Sequence, residues 1–201
     1  MLQSIRSVLA APHAYQFWSL AVGGHTCSRT LVDNYIRPRV GVRILDIGCG
    51  PGTILNYLPQ CDYLGFDLSR RYIELAKSYH PHAKFVCERV SQFALSDHGS
   101  FDLVLALGVV HHLDDTEALQ LFRIAHDALR PGARLVTVDG VFTDDQSAAA
   151  RWLLARDRGE YVRSKGEYLA IASQVFSSVT PSVRHDLLRI PYSHLILECA
   201  Q

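Results

Sequence analysis

The residues best suited to chemistry begin with an acid set ahead of closely spaced glycines: residues 43–53 read RILDIGCGPGT, with Asp46 followed by Gly48, Gly50 and Gly52. Loss of Cβ atoms lets backbone approach a ligand closely. A carboxylate before a turn and helix start would repel a pyrophosphate, the anion such a helix end normally attracts. Asp46 therefore suits a ligand that carries a cation. A second acid, Asp67, closes YLGFDLS at residues 63–69, and a carboxylate at a strand end is placed to accept hydrogen bonds from ribose hydroxyls. Two adjacent histidines, His111 and His112, lie within FDLVLALGVVHHLDD at residues 101–115. Imidazole titrates near neutral pH, so both are candidate general bases, with His111, earlier in the loop, preferred; the alternative is that they only orient the loop.

Other polar residues have competing meanings. Asp114 and Asp115 precede an expected helix, which makes capping their expected role, and no metal is expected. Asp139, at a strand end, is either substrate-facing or a turn residue, and His185 beside Asp186 is either catalytic or, as more commonly, a surface pair on an edge strand. Residues 156–163, RDRGEYVR, carry charge without an apolar stripe. They form either a solvated helix end or a substrate clamp, in which Arg158 or Arg163 grips an anionic group with its guanidinium fork and Tyr161 supplies a flat wall or a hydroxyl.

The elements that must position these groups alternate. Ile44, Leu45 and Ile47 suit a buried parallel strand. A helix is expected over residues 53–58, a strand over 63–66, and a helix over 70–79 capped by Ser69, with Tyr72, Leu75, Ala76 and Tyr79 as its buried stripe. Strands follow at 84–87 and 101–107, then a helix from Asp114 to about Leu129, a Pro131-Gly132 turn and a strand at 134–138. Helices near 147–156 and 166–176 precede two strand-like runs, 179–188 and 194–199, which would close the sheet as an antiparallel pair. Ahead of all this, helical pieces are expected at 2–9, 14–22 and 25–36. The pattern predicts an α/β fold with a doubly wound seven-stranded sheet, mainly parallel with a terminal antiparallel strand.

The glycine loop departs from the dinucleotide fingerprint, whose third glycine would fall at Thr53. It resembles instead the first motif of the class I S-adenosylmethionine (SAM) dependent methyltransferases, small-molecule type. YLGFDLS, the 101–115 run and ALRPGARLVTVD at 128–139 resemble that family's later motifs in the same order, covering residues 43–139. The resemblance implies a Rossmann-like methyltransferase fold that uses SAM and releases S-adenosylhomocysteine (SAH). It implies a cofactor site of Asp46, Gly48, Cys49, Gly50, Gly52, Asp67, Leu68, Glu88, Arg89, Val90 and Leu107. One departure stands out. Where the family has an acid that takes the adenine amino group, this chain has Arg89, with Glu88 one residue earlier. Either Glu88 substitutes, or adenine is held by apolar contact with Leu68 and Val90.

The resemblance implies one domain: residues 1–40 a helical cover, 41–140 the SAM-binding core, 141–177 substrate-side helices, and 178–201 the terminal strand pair. The implied reaction is methyl transfer to a small molecule or biosynthetic intermediate. The alternative is a SAM-binding subunit that is regulatory or needs a partner for catalysis. A formal charge of zero and a pI of 7.1 give no electrostatic footprint for nucleic acid. No Asn or Asp followed by Pro-Pro and an aromatic, the mark of base-amine methyltransferases, stands at residues 107–110. Five scattered cysteines without C-x-x-C spacing predict buried free thiols in a reducing compartment. No run approaches the roughly 18 apolar residues of a membrane span. The expectation is a cytoplasmic enzyme with a small-molecule substrate, no nucleic-acid or membrane partner, and an open oligomeric state.

Overall fold

The computed structural model describes residues 23–157 and 159–201. The helical pieces expected at 2–9 and 14–22, and Arg158, lie outside the described residues. The first described element is α1 (Gly24–Leu31), which runs into a π-helical turn at Val32–Ile36. Then come β1 (Arg43–Ile47), a 3-10 turn at Thr53–Tyr57, β2 (Asp62–Asp67), α2 (Arg70–Tyr79), β3 (Lys84–Cys87) and β4 (Phe101–Leu107). A 3-10 turn at Val110–His112 leads to α3 (Asp115–Ala128), β5 (Leu129–Phe142) and α4 (Ala148–Leu154). The two-residue β6 (Arg163–Ser164), α5 (Lys165–Ala172), β7 (Ser178–Arg184) and β8 (His194–Ala200) complete the chain.

The sheet order is β3-β2-β1-β4-β5-β8-β7, with β6 pairing β5 off that path. β1 to β5 pair in parallel, and β8 joins β5 and β7 antiparallel. This is the doubly wound, mainly parallel sheet expected, with an antiparallel end. Strands buried on both faces explain the near-continuous apolar runs: Leu103 and Leu105 of β4 pack into one core with Ile44, Ile73 and Ile36, while Val104 and Ala106 pack into the other with Leu45, Leu121 and Phe122.

Local differences have local causes. The residues after the glycine loop make one 3-10 turn, not an α-helix, because Pro51 and Pro59 bracket so short a stretch. In α2 the Ser69 cap holds, its hydroxyl accepting from the Tyr72 N–H, but the residues buried are Ile73 and Ala76, and Tyr79 is exposed. The Pro131-Gly132 turn lies inside a longer β5, with a register shift opposite residues 101–103. The capping role of Asp114 is as expected: its carboxylate accepts from the Glu117 N–H at 2.9 Å. Cys87 is exposed, unlike Cys49 and Cys199, which are buried. No helix among the described residues is long and apolar enough to cross a membrane.

Candidate functional site

Parallel strands present their carboxyl ends at one edge, and there a cavity of about 650 Å³ opens. Asp46, Gly48, Cys49, Gly50, Asp67, Leu68, Glu88, Arg89, Val90, Leu107 and His112 all contribute to its wall, and α1 closes one side through Gly24, His25, Ser28 and Leu31. This gathers the candidate cofactor residues except Gly52. Gly52 sits behind the wall, where an added Cβ would meet His80 and Phe85 at 3.1 and 3.3 Å.

The glycines of the loop serve different ends. Gly50 has φ +53° and nothing within 4 Å of an added Cβ, so its missing side chain leaves open space. Gly48 has φ +68°, but a Cβ there would lie 2.4 Å from Val109 Cγ2. Its missing Cβ and left-handed backbone let two loops pack together.

Asp46 is 2% exposed. Its Oδ2 accepts from the Tyr63 hydroxyl at 2.5 Å, and its Oδ1 has no partner among the described residues. Burial pushes its pKa up to about 7, against the Tyr63 hydrogen bond and with help from nearby Asp67. A buried carboxylate with an unmet acceptor is poised to receive a cation. Asp67 does more than face a ligand: it accepts from the Gly50 N–H at 3.0 Å and the Ser69 N–H at 2.8 Å, tying the glycine loop to the end of β2. Burial raises its pKa, and those two donors oppose the rise. Burial, with Asp46 and Asp67 beside it, pushes the Cys49 thiol well up, so it is a wall and not a nucleophile.

The two histidines separate. His112 lines the cavity. His111, the preferred base in the sequence, is absent from that wall and is 7% exposed. Its Nδ1 lies 2.8 Å from Asp139 Oδ1, which also accepts from the His111 N–H at 3.1 Å. That carboxylate favours the tautomer with the proton on Nδ1. Nε2 lies 3.8 Å from Asp157 Oδ1. Asp157 in turn accepts from the Gly159 N–H at 3.0 Å and the Tyr192 hydroxyl at 2.7 Å. Burial opposes its charge, yet those donors and the two histidines hold it below the usual carboxylate range. Burial pushes neighbouring His194 down to about 4.

Arg163 is also corrected. It is 7% exposed, and its guanidinium is engaged by Asp115 and by the carbonyls of Val110, Leu113 and Tyr161. It offers no open fork to a substrate. Tyr161 is 41% exposed but lies outside the cavity wall. Sequence reasoning missed the cluster that Asp157, Tyr192 and His194 form with Asp139, since its members are scattered along the chain. Only Asp139 carried a signal, and it lies within β5 and not at its end.

A mainly parallel sheet of this order, with a glycine loop after its first strand and acids ending the first two, defines a Rossmann-like fold of methyltransferase type. Residues 44–132 match the family described as Methyltransferase domain. A ubiquinone biosynthesis O-methyltransferase of Ruegeria pomeroyi is 32% identical over 101 residues, 48% of this chain and 40% of that protein. The chain thus spans about two fifths of the length of the curated relatives it matches. Among solved structures, a TehB-like SAM-dependent methyltransferase from Corynebacterium glutamicum matches with TM-score 0.65 and 23% identity, over 87% of this chain and 88% of that one. Phosphoethanolamine N-methyltransferase 2 of Haemonchus contortus, in complex with phosphomonomethylethanolamine and SAH, matches with TM-score 0.69 and 17% identity, over 87% of this chain and 52% of that one. Residues 44–132 are thus similar to a methyltransferase domain, and the fold as a whole is that of SAM-dependent methyltransferases of known structure.

Proposed function

We propose that the protein transfers the methyl group of SAM to a small-molecule acceptor, with His112 as the side chain nearest the reacting atoms. The observation that carries this reading is Asp46, buried at the cavity wall with one oxygen unmet. The residues fit SAM in kind. Asp46 would receive the ammonium, Gly50 would admit the ligand against backbone, and Asp67 would add ribose hydroxyls to the two N–H groups it already accepts. Leu68, an apolar side chain 65% exposed in the same wall, would cover one face of adenine. Of Glu88 and Arg89, only Glu88 can accept from the adenine amino group, so it takes the place of the family's acid.

When bound, SAM supplies an electrophilic methyl on sulfonium. The chain aligns the acceptor with it, which accounts for much of the acceleration in a displacement of this kind. Where the acceptor atom carries a proton, His112 removes it. A neutral chain supports a small acceptor over nucleic acid, and five unpaired thiols support action in the cytoplasm. The test is incubation with methyl-labelled SAM and fractionated cell extract. Label should enter a small-molecule fraction, and His112→Ala should lower transfer by about 10²-fold. Label confined to nucleic acid would overturn the reading, and SAM binding without transfer into any fraction would overturn it in favour of a partner-requiring subunit.

A further inference from the structure

We infer that Arg163 and Asp157 are positioning residues, which aim His112 into the cavity by clamping the turn that carries it; the inference rests on the proposed role of His112. None of the clamping groups lines the cavity. Arg163 has five N–H donors, and all five are spent. Nη1 donates to the carbonyls of Val110 at 3.1 Å and Tyr161 at 3.0 Å, and Nη2 to the carbonyl of Leu113 at 2.7 Å and to Asp115 Oδ1 at 2.8 Å. Nε donates to Asp115 Oδ1 at 3.0 Å. The carbonyls of Val110 and Leu113 bracket the two histidines.

His111 is held on every polar side. Its N–H and Nδ1 meet Asp139, its carbonyl accepts from the Tyr161 N–H at 3.0 Å, and its Nε2 faces Asp157. Gly159 presses against it so closely that an added Cβ would lie 2.1 Å from His111 Cδ2. The His112 ring rests on that fixed ring, with centroids 4.2 Å apart and planes 39° apart. The His112 N–H is meanwhile donated to the Val109 carbonyl at 2.9 Å. The direction of His112 is therefore set from behind, by Asp157, Gly159, Tyr161, Arg163 and Asp139.

A purely stabilising ion pair would not be built this way. The Asp115 side chain is 83% exposed, where such a pair contributes little. Burying a guanidinium is costly, and a well-packed apolar residue would stabilise the same spot at least as well. What the guanidinium adds is a rigid fork that reaches several carbonyls at once, which the point charge of lysine cannot do.

The test uses Arg163→Lys and, as a near-isosteric second variant, Asp157→Asn, with histidine rings isotopically labelled for NMR, His112 assigned through His112→Asn, and SAH as the ligand probe. In each variant the His112 ring resonance should move, methyl transfer should fall tenfold or more in kcat, and the SAH Kd should stay within twofold. Added to His112→Ala, each substitution should cost no further activity, since groups acting through one another are not additive. An unmoved His112 resonance would overturn the inference, as would an SAH affinity that falls in step with kcat. If His112→Ala keeps full turnover while the Arg163→Lys resonance moves, the base assignment fails and the clamp stands.

Discussion

Asp46 makes the cofactor reading measurable without any substrate. Its carboxyl is buried and its pKa pushed up to about 7, so below neutral pH the uncomplexed protein holds it largely protonated. A ligand ammonium prefers the carboxylate, so binding must expel that proton, and affinity must rise with pH until Asp46 is ionised on its own. For a pKa of about 7 and a strong preference for the ionised form, the Kd for SAH should tighten about 25-fold between pH 5.5 and 7.5, or about 1.9 kcal/mol. Calorimetry in two buffers of different ionisation enthalpy reads both the Kd and the proton released. Asp46→Asn keeps an acceptor for the Tyr63 hydroxyl but removes the titrating charge, so its weaker affinity should be flat over the same window. A wild-type affinity that is flat from pH 5.5 to 7.5, or an Asn variant with the wild-type slope, would refute the ammonium assignment.

Three further outcomes are expected. Gly50→Ala, entering open space at φ +53°, should cost only about 1 to 2 kcal/mol of stability while weakening SAH. Gly48→Ala, driven against Val109, should lower Tm more; paired calorimetry and melting curves separate the two. Asp67→Ala loses both the ribose partner and the acceptor of the Gly50 and Ser69 N–H groups. It should weaken SAH about 10- to 100-fold and destabilise the unliganded protein by about 2 kcal/mol, measured by denaturant titration. His194, held neutral with its pKa pushed down to about 4, binds fewer protons folded than unfolded below about pH 6.5. Its contribution to stability is full above that value and lost as pH falls toward 4, so the drop in Tm from pH 7 to 5 should be smaller in His194→Phe.

The cavity wall around the glycine loop was largely legible in the sequence because its signals are local. A strand pattern, an acid and a set of glycines within RILDIGCGPGT are enough to place a ligand loop, and the Asp67 strand repeats the device. The substrate side was not, for two physical reasons. His111 and His112 are neighbours on a 3-10 turn, where successive side chains point about a third of a turn apart. Which of them meets the cavity is decided by Asp139, 28 residues away. Arg163 looked like surface because it belongs to no apolar stripe, yet it is buried by carbonyls, and backbone acceptors leave no mark on side-chain periodicity. The buried stripe of α2 fell on Ile73 instead of Tyr72 and Tyr79, since both phases of that short helix offer apolar residues.

The placement of β8 has a consequence for how the protein comes into being. It pairs with β5 on one side and β7 on the other, Val136 opposite Glu198 and Thr180 opposite the same residue. A nascent chain therefore completes the parallel half of the sheet, glycine loop included, while one flank of β5 still waits for its neighbour. Until that neighbour arrives, β5 offers a ladder of unpaired amides and carbonyls beside apolar side chains, the template on which chains pair with the wrong partner. The half that carries the glycine loop can be assembled early, but safety from aggregation comes only when the later hairpin docks. Substitutions along β8 that spare the cavity entirely should lower the yield of soluble protein before they alter ligand affinity.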